Sequence, residues 1–289
     1  MMRSMAIERI SILGVGLMGG SVGLACRSLR GDLRITGYSP RPAELELARE
    51  RGAIHIAESD PARAVTDADL VLVCTPVGLF GQMMEAIRGS ISPRAMVTDV
   101  GSTKRSIVKL AAQILPIGAR FVGSHPMVGG EKHGMENARA DLLAGGLCIL
   151  SPDESTDADA ANQVEAFWQS IKMRTVRMTP DLHDRLTADI SHLPHVVAAA
   201  LVRMQSLQSL AIAGRGFADA TRIAAGDPGL WRDILLDNRD YLRQGLLRFS
   251  EQIQELLQSL DAGDSAAVQQ WLKTASDLRT GEAIGIRGA

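Results

Sequence analysis

Three glycines in the string Gly14-Val15-Gly16-Leu17-Met18-Gly19 separate a short apolar run, Ile10–Leu13, from a helical pattern over Leu17–Leu29. A strand that turns at once into a helix, with glycine at the turn, is the opening unit of a βαβ fold, and no other feature of the chain restricts its architecture as much. Gly14 permits the tight turn, Gly16 lets a phosphate-bearing ligand approach the backbone, and Gly19 allows the helix to pack closely on the strand. The helix N-terminus, with the N–H groups of Leu17 and Met18, attracts anions. Gly14, Gly16, Leu17, Met18 and Gly19 are therefore assigned to a dinucleotide site.

The pattern that follows supports this reading. From Ile10 to about Val176 short apolar runs alternate with longer amphipathic ones, as in strands bridged by crossover helices. The runs predict strands at Ile10–Leu13, Arg34–Tyr38, Leu70–Cys74, Met96–Asp99, Arg120–Gly123 and Leu147–Leu150, with helices near Leu17–Leu29, Ala43–Glu50, Leu79–Ile87 and Lys104–Leu115. Pro61, Pro76, Pro93 and Pro116 fall at the proposed boundaries, where a missing N–H is tolerated. The expected fold is α/β, a Rossmann-like doubly wound parallel sheet over residues 1–176, followed by an all-helical domain over residues 177–289. That domain carries helical patterns at Thr179–Leu210, Pro228–Leu260 and Ser265–Leu278. The apolar face of the long Pro228–Leu260 pattern exceeds what a small domain covers, so we expect a homodimer formed through these helices. The tail from Thr280 to Ala289 is expected to be loose.

Composition excludes several function classes. The 289 residues carry 31 basic and 33 acidic side chains, a formal charge of −2, with no long run of one sign, so nucleic acid is not an expected partner. Cys26, Cys74 and Cys148 each sit in apolar stretches and read as core residues of a reducing compartment. The uncharged run Ile10–Cys26 contains five glycines and is too short to span a bilayer. No membrane association and a cytoplasmic location are the expectations.

Further candidate residues lie where strands meet the ligand edge of the sheet. The second strand ends at Ser39, followed by Arg41, where NAD sites usually place an acid. A hydroxyl and a guanidinium suit a 2′-phosphate, so the residues favour NADP over NAD. Thr75 lies past the predicted third strand, along the expected path of the cofactor. Ser102 follows the strand ending at Asp99 and reads equally as a helix N-cap. His125 follows the next strand on the same edge, ahead of Pro126, which keeps the junction extended. His192 and His195 stand three apart in a helical pattern, and Pro194 between them is expected to bend the helix and aim both at the cleft. No third ligand of suitable spacing accompanies them, so no metal site is expected.

Taken together, GVGLMGGS (14–21), DVGSTK (99–104), GSHPMVGGEKHG (123–134), SHLPH (191–195) and TRIAAGDPGLWRDI (221–234) resemble, in order, the prephenate and arogenate dehydrogenases of tyrosine biosynthesis. The resemblance extends from about Glu8 to Leu278. It implies oxidation of a cyclohexadienyl substrate by NAD(P), coupled to loss of a ring carboxylate, giving 4-hydroxyphenylpyruvate from prephenate or tyrosine from arogenate. It implies that His125 takes the proton of the ring hydroxyl and that Ser102 contacts the same hydroxyl and orients this histidine. Arg222 would receive a substrate carboxylate, and His195 would contact the substrate side chain or carboxylate. Gly130 and Glu131 would form the loop beside the substrate, with Glu131 gating or hydrogen-bonding the site. Many relatives have threonine where Gly130 stands. Trp231-Arg232-Asp233 is expected to pack the helical domain, and Asp219 to pair across a subunit boundary. With no regulatory module expected after residue 289 and no mutase before residue 1, feedback by tyrosine would act at the catalytic cleft.

Two other readings share this layout. β-Hydroxyacid dehydrogenases and imine reductases have the same sheet and helices, but those dehydrogenases typically use a lysine on the first long helix of the second domain, where this chain has two histidines. A non-catalytic NADP-sensing protein is expected to have lost His125 or Arg222, and both are present.

Overall fold

Apolar runs of the first half become strands whose residues are buried on both faces, as in β4 and β5 below, where every residue is inaccessible to solvent. The computed structural model describes residues 7–116, 120–130 and 132–281. Strands β1 (Arg9–Leu13), β2 (Arg34–Tyr38), β3 (Ile56–Glu58), β4 (Leu70–Val73), β5 (Met96–Asp99), β6 (Arg120–Pro126), β7 (Leu147–Ser151) and β8 (Arg174–Arg177) form one sheet in the order β3-β2-β1-β4-β5-β6-β7-β8. All neighbours run parallel except β6 and β7.

Helices cover both faces. Residues of α1 (Leu17–Leu29), α2 (Pro42–Glu50) and α6 (Ala158–Ser170) join one apolar core with Ile10, Ile12, Leu70 and Leu72. Residues of α3 (Pro61–Ala64), α4 (Phe80–Ile87) and α5 (Arg105–Ile114) join a second core with Leu13, Val71, Val73 and Val97. The doubly wound expectation holds, with two corrections in detail. β3 and β8 lie outside the predicted set: β3 is a three-residue edge strand, and β8 is mostly exposed with arginine at both ends, so neither carries an apolar run. The strand expected to end at Gly123 continues to Pro126, because antiparallel pairing with β7 sets His125 opposite Ile149.

The helical half is more broken than its periodicity implies. It comprises α7 (Pro180–Thr187), a π-turn at Ala188–His192, α8 (Leu193–Arg203), α9 (Leu207–Ala211), α10 (Arg215–Thr221), α11 (Pro228–Asp237), α12 (Arg239–Asp261) and α13 (Ser265–Thr280). The continuous helix expected over Pro228–Leu260 is interrupted at Asn238, a fully buried residue whose Nδ2 donates to the Asp184 carbonyl at 2.7 Å. Contacts divide the chain between Arg239 and Asp240 into two compact units, the first containing the sheet and α1–α11 and the second a pair of helices joined by a turn at Gly263. Thr280 closes α13, and the rest of the predicted loose tail lies outside the described residues after Gly281. Among the described residues no helix is long and apolar enough to cross a membrane.

One buried ionic group joins the carboxyl end of β5 to its neighbours. Lys104 Nζ pairs with Asp99, both side chains being essentially inaccessible. Asp99 also accepts hydrogen bonds from Gly101 N at 2.8 Å and Ser124 N at 3.0 Å, which ties β5 to β6. Removing the ammonium would strand a carboxylate in the interior, a change that typically costs about 3–5 kcal/mol. Lys104→Ala is therefore expected to lower stability by about that amount, read as a shift of the urea midpoint at unchanged slope; an unshifted midpoint contradicts the assignment.

Candidate active site

Gly14 ends β1 with φ 106°, and its N–H donates to the Tyr38 carbonyl at 2.9 Å. A Cβ at this position would stand 2.8 Å from the Cys74 carbonyl oxygen just past β4, so only glycine fits the turn from β1 into α1. A Cβ on Gly19 would stand 2.0 Å from the Gly14 carbonyl oxygen, which is the close helix-to-strand packing expected of it. Gly16, the N-cap of α1, offers no side-chain cap, leaving the first-turn N–H groups of the helix to a ligand. The sheet order reverses between β1 and β4, and a cleft of about 1170 Å³ opens at their carboxyl ends. Thr75, on its wall, has a buried Oγ1 with no hydrogen-bond partner. Glycine turn, uncapped helix and orphaned hydroxyl together fit a dinucleotide.

The cleft gathers most of the residues predicted from the sequence. Gly14, Gly16, Leu17, Met18, Ser39, Arg41, Thr75, Ser102, His125, Gly130 and Arg222 all line it, while Gly19 stands behind the turn. Gly130 faces open space, since a Cβ there would meet no atom within 4 Å. Glu131 lies outside the described residues. Asp219 is on α10 and does not form part of the wall.

At the adenosine end the structure adds an acid that the sequence reading passed over. Glu44, in the first turn of α2, lines the cleft beside Ser39 and Arg41. Ser39 Oγ donates to Glu44 Oε2 at 2.7 Å and accepts from Arg41 N at 3.2 Å, and the Arg41 guanidinium forms an ion pair with the same carboxylate. Both groups expected to hold a 2′-phosphate are thus engaged by an internal anion.

At the chemical end His125 is 8% exposed and held by a partner from α7. Its Nδ1 lies 2.9 Å from His183 Nε2, and His183 Nδ1 lies 2.8 Å from Asp184 Oδ1. Burial first, then the neighbouring His183, Lys104 and His192, pushes the His125 imidazole well below its ordinary pKa. Burial likewise lowers His183, against the opposing pull of Asp184, while Asp184 itself is held low by hydrogen bonds from His183 and two backbone N–H groups despite its burial. His183 and Asp184 were not singled out in the sequence; their signal was an adjacent His-Asp pair in the first turns of a helix.

The two histidines around Pro194 are placed differently from expectation. The chain absorbs the proline through the π-turn at Ala188–His192, and neither ring reaches the cleft wall, where Ser191 stands instead. His192 is fully buried against Asn238, and burial lowers its pKa to about 4. His195 stacks on Trp231 with ring centroids 3.5 Å apart, so Trp231, expected only to pack the helical domain, presents its indole to the cleft and His195 lies behind it. Among the described residues no three His, Cys, Asp or Glu side chains are grouped to hold a metal ion.

A family model described as the prephenate dehydrogenase nucleotide-binding domain matches residues 22–177, and one described as the prephenate dehydrogenase dimerization domain matches residues 179–274. Prephenate dehydrogenase of Bacillus subtilis is 35% identical, covering 98% of this chain and 78% of its own length. Cyclohexadienyl dehydrogenase of Zymomonas mobilis is 31% identical over 94% of this chain and 95% of its own. The crystal structure of Aquifex aeolicus prephenate dehydrogenase in complex with hydroxyphenyl propionate and NAD+ superposes with a TM-score of 0.90 at 32% identity, covering 96% of this chain and 99% of that one.

Serving as a proton acceptor would require a neutral His125, and acid would remove that role as pH falls through the lowered pKa of the imidazole. The acid limb of kcat/KM for the reducible cofactor reaction is expected below pH 6.5, the ordinary histidine value. A limb centred at or above that value, in a pH–rate profile, contradicts the burial argument.

Proposed function

The chain belongs to the prephenate dehydrogenase family, and from that premise we propose that it oxidatively decarboxylates prephenate to 4-hydroxyphenylpyruvate with a nicotinamide dinucleotide. The observation that carries this reading is that His125 and Arg222, from opposite halves of the sequence, line one cleft together with the glycine turn. Arg222 and Lys132 on the wall offer cations to a substrate with two carboxylates, the guanidinium being suited to bidentate contact.

Bound nicotinamide would supply the hydride acceptor. The chain's own groups then have three tasks. The turn at Gly14 and the start of α1 fix the dinucleotide, Arg222 orients the substrate ring, and His125 accepts the hydroxyl proton as carbonyl character develops at the ring carbon losing hydride. Loss of carbon dioxide returns an electron pair to the ring, and the proton goes back to the oxygen as the phenol forms. Orientation of this kind contributes several kcal/mol, up to about 7–11 in favourable cases. Ser102 lies on the same wall and completes the contact to the hydroxyl.

For the cofactor we propose NAD, against the preference drawn from Ser39 and Arg41. Glu44 neutralises Arg41, occupies the Ser39 hydroxyl and sets a carboxylate where a 2′-phosphate would lie, whereas a ribose 2′-hydroxyl can donate to it. The relative from Aquifex aeolicus was crystallised with NAD+. We also propose the domain division near residue 177 and a homodimer formed through the helical half. The boundary between the two family models supports the division, although contacts separate the chain between Arg239 and Asp240, and the dimerization description of the second, with the exposed Leu247, Leu257, Leu260 and Leu272, supports the dimer.

Two experiments test these proposals. An absorbance assay for reduced nicotinamide, crossing prephenate and arogenate with NAD and NADP, is expected to show turnover of prephenate, and His125→Asn to lower kcat by roughly 100-fold or more with cofactor affinity nearly intact. Undiminished turnover in that variant removes His125 from the mechanism. Glu44→Gln is expected to raise the NADP-to-NAD ratio of kcat/KM by about tenfold, the scale of one repulsion removed at a partly exposed site. A wild-type preference for NADP overturns the cofactor assignment.

A further inference from the structure

We propose that His183 and Asp184 are positioning residues that fix the tautomer of His125, making its Nε2 the nitrogen available to substrate and linking the charge it gains to a buried carboxylate. The proposal rests on His125 serving as the base, and it follows from hydrogen-bond directions alone. An ionised carboxylate only accepts, so across the 2.8 Å contact with Asp184 Oδ1 the proton sits on His183 Nδ1. A neutral His183 then presents a bare Nε2. Across the 2.9 Å contact that follows, His125 Nδ1 must be the donor, which leaves the lone pair on Nε2. The reverse order would set two lone pairs against each other unless His183 were doubly protonated.

The surroundings decide between these alternatives. His183 is completely buried, and the groups that act on the two rings are Lys104 at the start of α5, Asp99 at the end of β5, His192 in the π-turn and Asp184 itself. Burial and the Lys104 charge disfavour a resting cation on either ring, while Asp184 keeps its negative charge through the Lys104 and Arg105 backbone N–H groups at 2.7 and 2.9 Å. Those same contacts make Asp184 the missing cap of α5, whose own N-cap residue, Lys104, provides none. The chain of hydrogen bonds is thus anchored to the frame of the sheet and not to a mobile side chain.

During turnover the proton from the substrate hydroxyl binds Nε2 of His125. The imidazolium then shares its Nδ1 proton with His183 Nε2, and His183 shares its own with Asp184. No electrons move along this path, and the proton returns to the phenolic oxygen when the ring aromatises. The logic is that of a base oriented by a third group, with one imidazole interposed.

Nitrogen NMR of the full-length protein, labelled with 15N-histidine and saturated with NAD+, reads the tautomer directly, with the His125 signals identified by their loss in His125→Asn. The expected result at neutral pH is a protonated Nδ1 and a bare Nε2 on His125, and the same Nδ1–H form on His183. Finding His125 in the Nε2–H form overturns the proposal without recourse to any variant. His183→Leu is expected to lower kcat by roughly 10- to 100-fold at nearly unchanged KM for prephenate, with His183→Gln, whose carbonyl can accept from Nδ1, recovering part of the loss. Full kcat in His183→Leu beside an inactive His125→Asn defeats this inference alone, whereas an active His125→Asn defeats the functional reading beneath it.

Discussion

The carboxylate of Asp184 is where sheet, helices and the His125 ring are joined. One side chain on α7 caps α5 through the backbone N–H groups of Lys104 and Arg105, and it also holds His183, which holds His125. A buried carboxylate is tolerated only when its lone pairs are satisfied, so each of these contacts is a condition for the others. Placing α7 wrongly would leave α5 uncapped and the His125 ring without its partner. The position of the His125 ring is therefore set by the same contacts that dock the first helix of the second half onto the sheet.

The sequence made the sheet legible because burial on both faces forces apolar runs, and it made the cradle legible because Gly14 has no substitute at its φ and spacing. It hid β3 and β8, which are edge strands with polar residues, and it hid the break at Asn238, where a tertiary hydrogen bond to the Asp184 carbonyl accompanies the helix end. His125, Ser102 and Arg222 could be picked out by the strings that contain them. His183 and Asp184 could not, since their role exists only once α7 meets β6 and α5.

Glu44 and His195 show a different limit. Reading Ser39 and Arg41 by residue type gave a phosphate site, but the sign of a surface site is set by all the charges that reach it, and an acid one helical turn away engages both groups. Likewise Pro194 was expected to turn two histidines toward the ligand. The π-turn instead takes up the distortion, and the aromatic face that meets the cleft belongs to Trp231, with His195 stacked behind it.

A base kept neutral by burial is also a weakened base, and the chemistry assigned to it tolerates this. The hydroxyl becomes acidic only as hydride leaves the ring carbon, so no strong base is needed in the ground state, and loss of carbon dioxide with aromatisation supplies the driving force. What the site must provide is a lone pair in a fixed direction and a nearby negative charge for the moment when the imidazole becomes cationic. Low dielectric strengthens that attraction, because the Asp184 carboxylate acts through two ordered hydrogen bonds and not through water. Burial thus lowers the resting pKa of His125 while increasing the value of its link to Asp184, and under the proposed mechanism the two effects together favour a histidine that is charged only during turnover.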